Sequence, residues 1–563
     1  MPHSEWIEPR TLPAELPRLH LNPLLNRLLA SRVTSAAEAN EFLDSTPRPH
    51  PDPFLLSGMA DAIDRVRVAL ARNETIAVYG DYDVDGIAAT AILIKILRAV
   101  GVEPAKIIAR LPIRSEGYGL NIPAIDALAG AGARLLISVD CGSTDHDQIA
   151  HAQHLGLDVI VIDHHQMTTA PVGAITVSSQ LDCDTPYREL SATGLAYLFA
   201  VGLANSVPNR GFDPRGLLDL VALGTVGDVV PLRGWNRIFV REGLRAIATR
   251  PGVGLTALCA CARLTPAAVT SEDIAFRIAP RINAAGRMDT PRPALDLLLT
   301  DDRHEAGRLA AQLERFNLDR RSASKRVEDE ALAIVAQDPR FASQPLLIIS
   351  QQGWRSGVLG LTAGKLVERF GRPVIVLSDD GQSSRGSARS VPGFDIGRAL
   401  AASADLLQDF GGHERAAGLS LLTKNVPDLE EKLIAVLEAA ALPPPAPPAW
   451  RIDADLTGSE LTLKTAELIY QLQPFGQQNP LPVFRVRGLN VRSYSTIGKE
   501  GSHLKLHLET PQGQVHVLAW GAAARSRELV LQPRIDLVAT LGFDYWQGRR
   551  RLHIEAKDFR LSP

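Results

Sequence analysis

The sequence predicts an α/β protein that ends in a small all-β domain, and three patterns support this fold class. Short β-branched runs separated by helical patterns, as at 75–80, 134–142 and 157–165, are typical of parallel strands with crossover helices. Residues 303–338 carry apolar side chains at helical spacing, which predicts one long helix of about 50 Å. After residue 450, apolar and polar residues alternate as they do in half-buried strands.

Two proline clusters, at 46–54 and 442–450, mark the limits of the α/β body. A chain of 563 residues is too long for one hydrophobic core, since a domain averages about 150 residues. We expect an N-terminal segment (1–55), a first α/β domain (56–300), a connecting helix (301–340), a second α/β lobe (341–441), a proline-rich connector (442–449) and a C-terminal β domain (450–563).

The later elements follow the same patterns. In the second lobe, the apolar runs PLLIIS and PVIVLS flank a helical segment at 357–371. In the C-terminal domain, HLKLHLE alternates Leu504, Leu506 and Leu508 with polar residues, and QVHVLAW, IDLVATLGF and RRLHIEAKDF also have strand patterns. Several short strands close together in sequence predict a small barrel or sandwich.

Composition argues against several classes of protein. Hydrophobic residues make up 45% and charged residues 22% of the chain, which is typical of a soluble globular protein. No apolar stretch reaches the ~18 residues of a membrane-spanning helix, and no signal peptide is visible, so we expect no membrane contact and a cytoplasmic location. The four cysteines form no C-x-x-C pair, which argues against a zinc site or a disulfide framework.

Charge is distributed unevenly along the chain. The net charge is −3, yet residues 450–563 contain 15 Lys and Arg against 11 Asp and Glu. A mildly basic C-terminal domain therefore follows an acidic body, which suggests that any polyanion contact involves the C-terminal domain.

Three aspartates crowd the end of the first strand, where YGDYDVDG (79–86) brings Asp81, Asp83 and Asp85 to alternate positions. Like charges this close repel, and a helix N-terminus offsets only part of the repulsion, so a divalent cation is the better explanation. The D-x-D-x-D-G spacing also opens an EF-hand calcium loop, but Ile92 stands where that loop needs a glutamate. The preceding segment has a strand pattern, so the EF-hand interpretation fails.

Further acids follow other apolar runs. Asp140 ends LLISVD, Asp163 ends VIVID before His164 and His165, and Asp228 ends LVALGTVGD, which we interpret as another strand-like segment. Because sites form at the carboxyl ends of parallel strands, we expect these side chains to converge. Carboxylate and imidazole ligands without a thiolate favour Mn or Mg, and two such ions would polarise a phosphoryl group. A single Asp after a strand usually caps a helix, so the metal hypothesis depends on the whole set.

Cationic groups beside such a site would favour a phosphodiester, whose negative charge grows in the transition state. Arg110 and Arg114 follow a strand-like segment, and RGSARS (385–390) offers an anion-binding turn. Each of these features is also common on ordinary surfaces and in ordinary turns. The candidate substrate-binding residues are Arg114, Arg281, Asn283, Arg287, Ser387, Arg389, Gly412 and His413.

In this order, DYDVDG, VDCG, DHH and GDVVPL resemble the motifs of the DHH phosphoesterases. The later stretches RIAPRINAAGRM, GSARSVPGFD, GGHERAAGLS and PFGQQNPLPVF are similar to those of the RecJ single-strand-specific exonucleases. The resemblance implies a parallel-sheet DHH catalytic domain, a DHH-associated substrate-binding lobe and a C-terminal OB-like β-barrel that binds nucleic acid.

The resemblance also implies roles for single residues. Two divalent ions, Mn or Mg, would be held by Asp83, Asp85, Asp140, His164 and Asp228. His165 would face the scissile phosphate, with Asp81 and Asp163 as outer-shell or bridging groups. The substrate-binding residues of the second lobe would hold the terminal 5′ phosphate and the adjoining nucleotides. Stacking of bases would use the aromatics of the barrel, close to GRRR (548–551): Tyr494, Trp520, Phe543, Tyr545 and Trp546.

The implied activity is 5′-to-3′ degradation of single-stranded DNA in recombination and repair, with single-strand-binding protein and a RecQ-type helicase as partners. A DHH phosphodiesterase of short oligoribonucleotides or cyclic dinucleotides is an alternative, although such enzymes typically need only the two α/β lobes. A non-catalytic DNA-binding scaffold is another, although such relatives lose metal ligands. Tyr79 stands where certain DHH pyrophosphatases carry a metal-binding His, which weakens a pyrophosphatase interpretation.

Overall fold

The chain forms two compact units. The computed structural model describes residues 4–9, 22–182, 184–208, 211–440, 449–530, 534–546 and 549–562. The central unit contains His50–Val230 and Gly234–Pro445, and the terminal unit contains Met1–Pro49, Pro231–Arg233 and Ala446–Pro563.

The N-terminal part of the terminal unit contributes one short strand and two helices. They are β1 (Glu5–Ile7), α1 (Pro23–Ala30) and α2 (Ala36–Leu43). Helix α1 begins at a proline, whose fixed φ suits a first turn, and the Asn22 side chain accepts hydrogen bonds from the first free amides.

The central unit opens with a five-stranded parallel sheet, as the sequence predicted. Its strands are β2 (Thr75–Gly80), β3 (Ile107–Arg110), β4 (Ala133–Val139), β5 (Asp158–Ile162) and β6 (Ile175–Val177). They lie in the order β3-β2-β4-β5-β6, so the carboxyl ends of β2, β4 and β5 are neighbours at one edge. That edge carries the aspartate motifs.

Helices α3 to α13 accompany this sheet, and their bounds are α3 (Met59–Ala71), α4 (Val84–Ala99), α5 (Ile122–Gly130), α6 (His146–His154), α7 (Ala192–Ser206), α8 (Leu218–Gly227), α9 (Gly234–Thr249), α10 (Val253–Cys261), α11 (Ser271–Asp273), α12 (Ala279–Met288) and α13 (Arg292–Leu299). A π-helical turn at Ile274–Ile278 leads into α12. The expected long helix is α14 (Arg303–Gln337), whose 35 residues span about 50 Å.

The second lobe of the central unit is a mixed five-stranded sheet with helices. Its elements are α15 (Arg340–Ser343), β7 (Leu347–Gln352), α16 (Ser356–Phe370), β8 (Val374–Asp379), β9 (Ser383–Arg389), α17 (Ile396–Ala401), β10 (Leu407–His413), β11 (Ala416–Leu422) and α18 (Val426–Ala439). The strand order is β10-β11-β9-β8-β7, and only β7 and β8 are parallel. Two hydrophobic clusters cover this sheet.

The C-terminal part of the terminal unit is a curled sheet. Its elements are β12 (Ala449–Arg451), β13 (Ala454–Leu456), α19 (Leu463–Ile469), β14 (Val483–Ile497), β15 (His503–Thr510), β16 (Gly513–Ala519), β17 (Arg534–Trp546) and β18 (Arg549–Leu561). Strand β14 pairs with both β15 and β17, so the sheet forms a partial ring. Leu504, Leu506 and Leu508 are buried inside it, as their alternation predicted. Residues 442–448 of the expected proline connector lie outside the described residues.

The two ends of the chain share one hydrophobic core. Strand β1 pairs in parallel with β12, and Leu25, Leu28 and Leu29 belong to the same buried cluster as the leucines of β15. Nothing in the local sequence patterns indicated this, because a pairing over more than four hundred residues leaves no periodic signal.

Two local interpretations were wrong. Residues 220–227 lie in α8, with Asp228 as its C-cap, rather than in a strand, since a short continuous apolar run does not distinguish a buried helix from a buried strand. Residues 385–389 lie in β9 rather than in a turn, because Gly386 packs closely against the Val376 carbonyl of β8. Among the helices of the described ranges, none has the length and apolar character to cross a bilayer.

Candidate metal and phosphate site

The first aspartate motif lies in the connection from β2 to α4. Asp83 is the N-cap of α4, and its Oδ1 accepts hydrogen bonds from the amides of Asp85 (2.9 Å) and Gly86 (3.2 Å). The Val84 amide donates to Asn283 Oδ1 at 2.8 Å, so α12 is fixed against this turn. Asp83 therefore caps a helix, as a lone Asp would, and still holds its carboxylate at the edge of the sheet.

Asp85 is completely buried in the first turn of α4, against the N-terminus of α7. Its Oδ2 accepts from the Ala192 amide (2.7 Å), and its Oδ1 accepts from the amide (3.1 Å) and hydroxyl (2.5 Å) of Thr193. The positive end of a helix stabilises a carboxylate, which lets this charge remain inside the protein. A side chain on Gly224 would meet Asp85 Oδ1 at 2.6 Å, so the position allows only glycine.

Asp140 follows β4 with a positive φ of 62°, a conformation that few non-glycine residues adopt. Its amide continues the sheet by donating to the Ile162 carbonyl at 3.1 Å. The left-handed backbone at Asp140 is held by the strand that precedes it and by this bond. Backbone strain of this kind is concentrated at functional sites.

Asp163 and His165 form a hydrogen-bonded pair after β5. Asp163 Oδ1 accepts from His165 Nδ1 at 2.8 Å and from the His164 amide at 2.8 Å, while its Oδ2 accepts from the Ser143 amide at 3.2 Å. Burial alone would raise the pKa of Asp163, but the hydrogen bond and charge of His165 lower it to about 2. The same bond outweighs burial at His165 and raises its pKa to about 9.

His164 lies at the centre of the acidic cluster. Its Nε2 is 3.3 Å from Asp140 Oδ1, 3.5 Å from Asp228 Oδ2 and 4.0 Å from Asp85 Oδ2. Asp228 joins from the C-terminal end of α8, so a helix delivers this acid where we expected a strand. The adjacent ligands of an octahedral ion bound at about 2.1 Å are themselves about 3 Å apart. The separations around His164 have this scale.

Several buried polar atoms at this edge have no hydrogen-bond partner among the described residues: Asp81 Oδ1, Asp140 Oδ1 and His164 Nε2. Native proteins rarely leave such atoms unsatisfied. The described residues offer three groups of ligand atoms, and the atoms within each group lie within 4.8 Å of one another. The groups are Asp85, His164 and Asp228; Asp81, Asp83 and Asp140; and Asp140, Asp163, His164 and His165. A donor set of carboxylate oxygens and one imidazole suits Mn or Mg, so the residues fit two divalent cations.

Electrostatics in the cluster point in the same direction. Burial, followed by the charge of neighbouring carboxylates, raises the pKa of Asp81 to about 8 and that of Asp228 to about 9. Burial and the neighbouring carboxylates also raise the pKa of Asp140. Burial raises the pKa of Asp85 as well, although the charge of His164 and the hydrogen bond from Thr193 act against it. The carboxylates thus repel one another inside the fold, and a divalent cation would relieve that repulsion.

A group of arginines lies beside the acids. Burial, followed by the positive charges of Arg114 and Arg320, lowers the pKa of Arg287 to about 9, while Asp83 acts in the opposite direction. Burial and Arg114 also lower the pKa of Arg389. None of these four guanidiniums forms an ion pair with a carboxylate of the described residues. Converging cations without anionic partners are suited to a bound phosphate.

The second lobe supplies Arg389 and Ser387 from β9. A side chain on Gly360 of α16 would meet Arg389 Nη2 at 2.8 Å and Ser387 Oγ at 3.3 Å, so both side chains lie against that helix. His413 of β10 and Arg389 of β9 are both paired with Ala416 of β11, the strand that lies between them, so the two residues are level with each other in the sheet. His413 is exposed at the end of β10, next to Gly412.

Arg281 differs from the other candidate arginines. Its Nε pairs with Glu314 of α14 at 2.5 Å, and its Nη1 donates to the Arg277 carbonyl. Arg110, considered beside Arg114, is likewise paired with Glu116 at 2.5 Å. These two guanidiniums already have anionic partners, so they are less available to a phosphate than the unpaired four.

The aromatics proposed for base stacking differ in accessibility. Trp520 is 52% exposed and Tyr494 is 38% exposed. Phe543 instead stacks on Tyr470, with ring centroids 4.3 Å apart. The side chains of Tyr545 and Trp546 and residue 548 of the GRRR run lie outside the described residues.

Three family models match the chain. Residues 75–225 match the DHH family N-terminal domain, residues 343–439 match the DHHA1 domain, and residues 452–558 match the RecJ OB domain. Over 531 residues the sequence is 35% identical to the single-stranded-DNA-specific exonuclease RecJ of Salmonella typhimurium, an alignment that covers 90% of this chain and 89% of the relative. The chain belongs to the RecJ family.

Solved RecJ structures are similar over nearly the whole chain. The crystal structure of RecJ in complex with Mn²⁺ from Thermus thermophilus matches with a TM-score of 0.83 and 30% identity, covering 99% of this chain and 80% of that chain. The Mg²⁺ complex from the same source matches with a TM-score of 0.78 and 29% identity, covering 99% and 79%. The carboxylate and imidazole donors of this chain therefore occur in a fold that is similar to RecJ structures in complex with Mn²⁺ and Mg²⁺.

Sequence reasoning missed several residues of this RecJ-family site, among them Arg320 and Thr193. Arg320 belongs to the connecting helix α14, where its Nη2 donates to Asn317 Oδ1 at 2.8 Å and its Nε is buried without a partner. Thr193 holds Asp85 from the first turn of α7. An arginine in a charged helix and a threonine in an apolar one carry no local signal, although Ser191-Ala-Thr-Gly does have the pattern of a helix start.

We predict that Asp140→Asn raises the melting temperature of the metal-free protein, because it removes one of several mutually repelling buried charges, and asparagine tolerates a positive φ. The expected gain is on the order of 1 kcal/mol in the free energy of unfolding. Calorimetry with and without Mn²⁺ measures it, and the variant should lose most of the Mn²⁺-induced stabilisation of the wild type. Asp147→Asn, an exposed carboxylate on α6, is the matched control and should behave like the wild type. A lower melting temperature for metal-free Asp140→Asn would contradict the repulsion argument.

Proposed function

We propose that this chain is a 5′-to-3′ exonuclease that hydrolyses the phosphodiester bonds of single-stranded DNA with two divalent ions, Mn or Mg. One observation carries the proposal. Among the described residues, buried carboxylate and imidazole atoms without a hydrogen-bond partner lie beside guanidiniums that form no ion pair. A phosphodiester strand bound together with divalent ions would satisfy both groups, because the carboxylates and His164 would hold the ions and the arginines would donate to phosphate oxygens. Membership in the RecJ family supports the same substrate.

Two sets of ligands would hold the ions. Asp85, His164 and Asp228 form one set, and Asp81, Asp83 and Asp140 form the other. This assignment gives Asp81 a direct role in place of an outer-shell role. When bound, divalent ions polarise phosphoryl oxygens and lower the pKa of water, which provides a nucleophile at neutral pH.

His165 would act on the scissile phosphate. Its Nδ1 is committed to Asp163, so its Nε2 is the nitrogen available to a substrate oxygen. Donation from Nε2 to a non-bridging oxygen would stabilise the charge that develops during hydrolysis. Asp163 would act through His165, because its Oδ1 accepts from the amides of the D-H-H turn and from His165 Nδ1, while its Oδ2 accepts from the Ser143 amide of the loop after β4.

The terminal 5′ phosphate would bind the arginines that lack carboxylate partners. Arg114 and Arg287 come from the first domain, and Arg389, with Ser387 and His413 in neighbouring positions, comes from the second lobe. A strand end fixed there would present its next phosphodiester to the acidic cluster. Asn283 would contribute by holding α12 against α4. Arg281 and Gly412 would contribute indirectly, by shaping the surroundings of the bound 5′ phosphate.

The terminal unit would bind the rest of the strand. Lys505 and His507 of β15 lie opposite Leu518 and His516 of β16, and Trp520 comes directly after the end of β16. Exposed aromatics beside basic groups bind single strands by stacking and by counterion release.

Several further expectations remain proposals. They are the domain limits 1–55, 56–300, 301–340, 341–441, 442–449 and 450–563, a cytoplasmic location, and cooperation with single-strand-binding protein and a RecQ-type helicase. The motifs and the family support them.

The direct test is digestion of a long 5′-phosphorylated single strand in Mn²⁺. The wild type should release nucleotides from the 5′ end, should spare the same sequence as a blunt duplex, and should cleave a dinucleotide or cyclic dinucleotide poorly. Asp140→Asn should lose on the order of 10³-fold in kcat. Asp147→Asn again serves as control. Faster turnover of the dinucleotide would favour the short-substrate alternative, and no turnover of any substrate would favour the scaffold.

We predict that Arg389→Ala raises KM about 10-fold for 5′-phosphorylated strands, because one charge-assisted contact to the terminal phosphate is lost. Strands with a 5′ hydroxyl should change much less. Arg385→Ala, on the same strand and exposed, is the matched control and should leave both KM values unchanged. Equal losses on both types of end would count against capture of the 5′ phosphate.

We predict that Trp520→Ala weakens binding of long single strands about 10-fold, since a stacked base contributes about 1–3 kcal/mol. Lys505→Ala should lower the salt dependence of binding by about one counterion, while Lys464→Ala, an exposed lysine of α19, should not. Fluorescence anisotropy at several salt concentrations measures both effects. If Trp520→Ala binds like the wild type, this face is not a DNA site.

A further inference from the structure

One tyrosine hydroxyl touches two groups of the site. Tyr118 Oη donates to the Asp140 carbonyl oxygen at 3.0 Å and lies 3.0 Å from His165 Nδ1. The two rings meet edge to face, with centroids 5.4 Å apart. Tyr118 is 48% exposed overall, so the contacts of its hydroxyl, rather than burial of its ring, define its position.

The loop that carries Tyr118 is held in one conformation. Gly117 and Gly119 flank it, with φ values of 91° and 90° that a side chain would oppose. The Leu120 amide donates to Asp145 Oδ2 at 2.8 Å, and a side chain on Gly119 would meet both oxygens of Asp145 at 2.8 Å. The loop is therefore fixed on both sides of the tyrosine.

Tyr79 anchors the same loop from inside the sheet. Its hydroxyl donates to the Gly119 carbonyl at 3.0 Å and accepts from Asn121 Nδ2 at 3.0 Å. The ring is completely buried. The residue that stands in place of a metal-binding histidine thus supports Tyr118, and has no direct contact with the acidic cluster.

The Tyr118 hydroxyl has one proton, which it donates to the Asp140 carbonyl oxygen. A carbonyl oxygen only accepts, so the proton points to Asp140, and the hydroxyl oxygen faces His165 as an acceptor. His165 Nδ1 must then carry a hydrogen, which it also donates to Asp163 Oδ1. Tyr118 Oη also lies 3.5 Å from His165 Nε2, so the hydroxyl touches both ring nitrogens and, together with Asp163, restricts rotation of the ring.

The contact with Asp140 acts on its backbone. Asp140 holds φ at 62°, with its amide bound to Ile162 and its carbonyl bound to Tyr118. The peptide groups on both sides are thereby fixed, and with them the direction of the carboxylate. Without the hydroxyl, the strand that precedes Asp140 and its amide bond would remain, but nothing among the described residues would hold the carbonyl on the other side of the strained backbone.

We propose that Tyr118 is a positioning residue that holds His165 and the carboxylate of Asp140 in register through a single hydroxyl group. The effect on turnover rests on the proposed function, whereas the effect on the Asp140 carboxylate does not. Groups that orient metal ligands and catalytic side chains typically change affinity or activity by 10-fold or more when removed.

Tyr118→Phe in the full chain tests the proposal, because it removes the hydroxyl and keeps the ring. We expect kcat on 5′-phosphorylated single strands to fall about 10-fold with KM nearly unchanged, and Mn²⁺ to bind about 10-fold more weakly by calorimetric titration without DNA. The melting temperature of the metal-free variant should stay close to that of the wild type.

Tyr187→Phe is the matched control. Tyr187 is buried in the same unit and donates to the Asp52 carbonyl at 2.8 Å, outside the site. Its loss should lower the melting temperature and leave kcat and Mn²⁺ affinity unchanged. Wild-type kcat and Mn²⁺ affinity in Tyr118→Phe would overturn the proposal, as would losses that scale with melting temperature in both variants. If the wild type digests no DNA, the proposed function fails, and the Mn²⁺ titration still tests the positioning role.

Discussion

Mutual repulsion among buried carboxylates is the constraint on which the site depends. Asp81, Asp85, Asp140 and Asp228 all have raised pKa values, first through burial, with neighbouring carboxylates that include Asp83 adding to the shift. An apolar core would never gather such groups, since each adds a desolvation cost and a repulsion. Their convergence has a physical reason only if cations balance them.

The scaffold holds these charges with backbone groups. The N-terminus of α7 binds Asp85, the N-terminus of α4 binds Asp83, and β5 binds Asp140 through the Ile162 carbonyl. Backbone donors and acceptors are rigid, so they aim carboxylate oxygens more closely than flexible side chains would. The polar atoms left without a hydrogen-bond partner among the described residues are buried at this edge, as the ligands of a preformed ion site would be.

Opposite charges lie side by side in the central unit. The acids end the parallel strands of the first domain, and the unpaired arginines come from that domain, from α14 and from β9 of the second lobe. Long helix α14 is more than a spacer, since it supplies Arg320. A phosphate chain that spans both groups would complete the charge balance of each, which links substrate binding to the geometry of the two lobes.

The sequence by itself determined the fold class and predicted the acids and histidines that meet at the edge of the first sheet. Strand periodicity, the 35-residue helix and the D-x-D-x-D and D-H-H motifs are local patterns, and the acids following β2, β4 and β5 do converge at one edge. Only the tertiary structure decided that Asp228 arrives on a helix, that Arg281 is paired with Glu314, and that Tyr118 and Arg320 join the site. It also decided that the first helices pack in the core of the last domain. These features depend on contacts between distant segments, and a contact between distant segments leaves no period or spacing along the chain.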